Sequence, residues 1–150
     1  DPALSGLPAF LTPDPGVNSG LMVAQIAAAA LASELKQRAH PASVDSIPTD
    51  ANKEDHVSMG MGAALKAREA VGLLESVLAL ELLAAAQALE FLRPLRPGAG
   101  VAAAYDRIRE QVPPLERDRV LAPDIRAVES LVRAGAFAGL WREFEEEAGS

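Results

Sequence analysis

The sequence predicts an all-α fold, an elongated helical bundle with one very long helix. Three observations lead there. The hydrophobic share is 49% but aromatics supply only 4%, so it is mostly Ala and Leu. Small side chains on helices let helix axes approach closely, which favours helix–helix packing over a sandwich or barrel. Apolar residues also recur at helical spacing in two blocks, Leu21–Arg38 and Ala63–Leu92. No segment alternates convincingly as a strand, and no internal repeat of useful period is present.

Residues 1–17 hold four prolines and two glycines and read as an extended or irregular strap. Asn18 and Ser19 are good cap residues, and a first helix is predicted from about Ser19 to Ala39. Lys36 and Arg38 suit its C-terminus, where the macrodipole is negative. Its Ala-rich centre is apolar nearly all round, so deep burial is expected. A polar loop, 40–52, follows between Pro41 and Pro48. The second helix is predicted to start at Asn52, with Asp55 three residues on approximating a capping box. No breaker appears before Pro94, which gives a helix of about 35–40 residues and about 55 Å at 1.5 Å per residue.

A compact domain of 150 residues is about 40 Å across. The apolar stripe of such a helix therefore has to be covered by other chain, unless Gly60, Gly62 or Gly72 kinks it. Residues 18–92 thus form two long helices, and residues 93–150 form short ones. The short helices are expected over about Val101–Gln111, Asp124–Ala134 after Pro123, and Ala136–Glu146. Trp141 and Phe144 read as core or subunit-contact residues, and the acidic tail as a solvated helix face.

The net charge is -7, and Lys and Arg form no basic stripe, which argues against nucleic acid as a partner. Glu34 and Lys36, then Glu75 and Glu81, interrupt the apolar blocks, so no membrane partner is expected. There is no Cys, hence no disulfide framework, thiolate metal site or cysteine nucleophile. A reducing, cytoplasmic setting is consistent with that. The chain begins Asp1-Pro2 without Met, which suggests a piece of a longer protein.

The chemistry-bearing residues gather between His40 and Gly62. Glu54, Asp55 and His56 are adjacent, and adjacent helical residues point about 100° apart, so they make a poor metal site. His40, Ser43 and Asp45 have the residue types of a hydrolase triad but lie on one loop without a Gly-x-Ser-x-Gly elbow. Glu54 stands out as an acid–base candidate. At the second position of a helix, its carboxylate would face exposed N–H groups and be held ionised, ready to act as a base or to pair with a cation. A plainer reading stays open, in which Glu54 and Asp55 are helix-start acids and His56 a capping or packing residue.

The stretch Ala39-His40-Pro41-Ala42-Ser43-Val44-Asp45-Ser46-Ile47-Pro48-Thr49 resembles the histidine ammonia-lyases in their C-terminal portion. The likeness continues through Ala51-Asn52 and Glu54-Asp55-His56-Val57-Ser58-Met59. Leu4-Ser5-Gly6-Leu7-Pro8, Asn18-Ser19-Gly20 and Ala28–Glu34 add to it, with a weaker echo in Asp118-Arg119 and Ala122–Ile125.

The resemblance implies an all-helical homotetrameric lyase. Such an enzyme eliminates ammonia from L-histidine to give trans-urocanate, using a methylidene-imidazolone group made from an internal Ala-Ser-Gly. No Ala-Ser-Gly occurs here. This chain would therefore be inactive without an N-terminal portion of the same protein. The resemblance assigns Glu54 to acid–base work or substrate anchoring, and Asn52, Asp55 and His56 to fixing the helix start. Related phenylalanine lyases carry Gln where Glu54 stands, and a carboxylate suits a protonated imidazole or ammonium better than an amide does. Two further readings remain: a non-catalytic helical assembly module, or a degenerate paralogue.

Overall fold

The computed structural model describes residues 2–140 and is helical, with no strand among those residues. Five α-helices follow one another: α1 (Pro2–Ser5), α2 (Met22–Arg38), α3 (Gly60–Phe91), α4 (Ala99–Arg109) and α5 (Ala122–Arg133). The strap is thus not wholly extended. It holds α1 and a 3-10 turn at Ala9–Leu11.

The long helix α3 is the axis of the structure, with α2 and α5 packed along it. It has 32 residues and so spans about 48 Å. It is shorter than the sequence suggested because its start is Gly60, not Asn52. Asp50, Ala51 and Asn52 all have positive φ, and L-residues in that region cannot open a right-handed helix. No kink interrupts α3, so its glycines do not break it.

Core forms where α3 meets the C-terminal helices. Ala79, Leu83 and Ala86 of α3 pack with Ile108, Val112 and Val128, and Val112 and Val128 are fully buried. Beside this, Leu80 joins Leu21, Ala24 and Leu115. Gly135 has φ +67 and ends α5, with the Ala136 N–H bonding to the Leu131 carbonyl across the turn. Residues beyond Leu140, including Trp141, Phe144 and the acidic tail, lie outside the described residues.

The expected deep burial of α2 does not occur. Ala24 alone of its residues is buried, and Val23 and Ile26 are exposed. An Ala-rich helix has short side chains and needs close neighbours on several sides, and among the described residues α3 flanks α2, with Leu115, Leu121 and Ile125 gathered near Ala24.

Two polar contacts tie distant parts of the chain together. Gln87 of α3 is buried and sits among three segments. Its amide nitrogen donates to the carbonyls of Leu11 (3.3 Å) and Leu115 (3.1 Å), and its oxygen accepts from the Leu115 N–H (2.9 Å). Asp118 accepts from the N–H groups of Ser19 (2.7 Å) and Gly20 (2.9 Å), just ahead of α2. These bonds hold the Asp118 carboxyl below the usual carboxylate range. Gly20 is required there: its φ is +54, and a Cβ would lie 2.5 Å from the Phe10 carbonyl oxygen.

Candidate active site

The polar segment between α2 and α3 is a small closed loop. Two rungs hold it. At the base, the Ser46 hydroxyl donates to the Val57 carbonyl (3.1 Å) and accepts from the Val57 N–H (2.8 Å). Nearer the tip, Thr49 and Glu54 exchange backbone hydrogen bonds of 2.9 and 3.3 Å as an antiparallel bridge. The chain turns between them through Asp50, Ala51 and Asn52, at φ 48, 54 and 66°. Left-handed backbone costs an L-residue roughly 1–2 kcal/mol, and strain of this kind collects at functional sites.

Glu54 is exposed at this tip. Its Oε2 accepts a 2.6 Å hydrogen bond from the Thr49 hydroxyl. Six ion pairs occur among the described residues and none involves Glu54. The carboxylate is therefore oriented by a neutral donor and has no counter-charge among the described residues. The helix-dipole argument for Glu54 fails, because α3 begins six residues later. Asn52 lies in the left-handed turn and Asp55 is exposed beyond it, so neither caps a helix. The Ser58 hydroxyl instead accepts the Gly60 N–H at 3.2 Å, at the start of α3.

His56 does not cap a helix either. With Ser43, Asp45 and Met59 it lines an open cavity of about 350 Å³ between the loop and the first turn of α3. Glu54 is not among the cavity's lining residues. His40 lies apart, its carbonyl accepting a hydrogen bond from Lys66. The triad types do not assemble: Asp45 accepts from the Ser46 N–H and from no histidine. Among the described residues no group of three His, Asp or Glu side chains could hold a metal.

Sequence reasoning singled out Glu54 but placed it in the first turn of a helix, and it missed Thr49, its partner. A β-branched hydroxyl five residues from a glutamate across a turn is the one signal that could have found it.

Similarity to known proteins bears on the same residues. The sequence model of the family described as aromatic amino acid lyase matches residues 1–110. A histidine ammonia-lyase of Symbiobacterium thermophilum is 62% identical over 135 residues, which is 90% of this chain and 27% of that protein. The crystal structure of histidine ammonia-lyase from Trypanosoma cruzi superposes with a TM-score of 0.87 at 48% identity, over 95% of this chain and 27% of that one. The X-ray structure of a tyrosine aminomutase from Streptomyces globisporus gives 0.85 at 37% identity, over 92% of this chain and 26% of that one. This chain thus spans about a quarter of the length of the relatives it matches. The family match covers the strap, α2, the loop carrying Glu54, α3 and α4, and the chain belongs to the aromatic amino acid lyase family.

Proposed function

We propose that this chain is the C-terminal portion of a histidine ammonia-lyase, which converts L-histidine to trans-urocanate and ammonia. The observation that carries the reading is 62% identity over nine-tenths of the chain to a protein of that name. A tyrosine aminomutase shares the fold, so the fold alone leaves the substrate open. Glu54 favours histidine. Among the described residues its exposed carboxylate meets a neutral donor, Thr49, and forms no ion pair, and it suits a protonated imidazole or ammonium.

No Ala-Ser-Gly occurs in the 150 residues, so this chain cannot itself form the methylidene-imidazolone group. That group, when present, supplies the electrophile. The residues here fit a wall facing it: Glu54 takes a proton from the substrate or anchors its cationic group, and the loop from Ser46 to Val57 holds Glu54 in place. The isolated chain is then inactive and works beside the N-terminal portion. The open apolar sides of α2 and α3 support assembly with further polypeptide, and the family resemblance extends that reading to a homotetramer in the cytoplasm. No helix among the described residues is long and apolar enough to cross a membrane. The same open sides favour a second reading for the chain by itself, a helical assembly module without chemistry of its own.

In the full-length protein, Glu54→Gln is expected to cut urocanate formation by roughly 100-fold or more while the oligomer persists. Ultraviolet absorbance and light scattering read the two quantities. Near-normal turnover would remove Glu54 from the mechanism.

A further inference from the structure

We infer that Thr49 is a positioning residue for the Glu54 carboxylate. This rests on the reading of Glu54 as a group that meets substrate.

The geometry is specific. Residues that exchange both backbone bonds in an antiparallel pair present their side chains on the same face. Thr49 and Glu54 are such a pair, and the left-handed run Asp50-Ala51-Asn52 makes them one. Single left-handed L-residues are ordinary in turns, whereas three in succession are not. The Lys53 N–H bonds back to the Asp50 carbonyl (3.0 Å), closing the turn. The result is a hydroxyl 2.6 Å from an exposed carboxylate.

A neutral donor has a particular merit at this position. An arginine or lysine would fix the glutamate equally well but would neutralise the charge that recruits a cationic substrate. Threonine fixes one oxygen and leaves the charge intact. It also selects among the many rotamers of an exposed glutamate, and a reacting group held in position gains rate that a wandering one loses.

Ser46 supplies an internal comparison. It carries the same hydroxyl chemistry in the same loop, but both its bonds go to the backbone of Val57. Ser46 therefore shapes the loop, and Thr49 aims a side chain.

The test uses the full-length protein with L-histidine as substrate. Thr49→Val keeps the branched shape and removes the donor. Its kcat/KM is expected to fall roughly 10- to 100-fold. Thr49→Ser, which restores the hydroxyl, is expected to recover most of that loss. In a Glu54→Ala background, Thr49→Val is expected to cost nothing further. Ser46→Ala gives the loss due to loop shape alone, and its thermal midpoint calibrates that of Thr49→Val. Should Thr49→Val fail to fold, Thr49→Ala carries the same comparison.

A wild-type rate for Thr49→Val beside an impaired Glu54→Gln overturns the role of Thr49 and leaves Glu54 standing. A loss that Ser does not rescue, or that persists in the Glu54→Ala background, also overturns it. A wild-type rate for Glu54→Gln overturns both.

Discussion

The two halves of α3 both carry apolar residues at helical spacing and have different surroundings. In the C-terminal half, Ala79, Leu80, Leu83 and Ala86 are buried against α4, α5 and the segments beside them. In the N-terminal half, Met61, Leu65, Val71 and Leu74 stay exposed, Met61 at 75% and Leu74 at 46%. Composition separates them only in part: Gly60, Gly62, Gly72, Lys66 and Arg68 fall in the N-terminal half, yet both halves carry large apolar side chains. What differs is how many neighbours the chain itself brings, since α5 covers one half and α2 leaves the other partly open. Apolar residues along an uncovered helix are the feature on which the proposed assembly with further polypeptide rests.

Leu83→Ala probes the covered half. It is expected to cost about 2–5 kcal/mol in urea unfolding, because Leu83 lies within the closed cluster. Gln87→Leu comes next, at about 2–3 kcal/mol, since it strands the Leu115 N–H and the carbonyls of Leu11 and Leu115.

Asp118→Ala has a pH signature. The folded carboxyl titrates below the ordinary aspartate value of about 3.9, so its contribution is fully present above that value. It is lost as pH falls through the depressed folded value. The thermal midpoint of the variant should lie below the parent's at pH 6, and the gap should close only in that acid range.

Leu74→Ala is the smallest effect, within about 0.5 kcal/mol in the 150-residue chain. The comparison between the halves breaks if Leu74→Ala costs as much as Leu83→Ala in that chain. It sharpens if the cost appears only in the full-length protein.

The helices were legible in the sequence because their signals are local. Periodicity gave α2, α4 and α5 to within three residues at each end. The start of α3 was not legible, because Asn52 and Asp55 carry capping chemistry that fits a left-handed turn equally well. Glycine at 60, a weak helix former, opens the helix instead. Glu54 was found for its chemistry, while the proposed cause of its charge, a helix start, was wrong. The burial of α2 was overread because burial depends on neighbours that one chain cannot announce. The bond between Asp118 and Ser19 joins residues 99 apart, and neither residue carries a mark of the other.

That clasp, with Gln87, has a consequence for covalent continuity. The strap and α2 are held to the rest of the chain by Asp118, by the Gln87–Leu11 bond and by the packing of Leu21 and Ala24 on Leu80. The loop from Ser46 to Val57 joins the two parts, and its Ser46–Val57 and Thr49–Glu54 bonds add to those attachments from either side of the tip. A protease cut at its exposed tip would leave two fragments gripping each other, a split protein with its seam at Glu54.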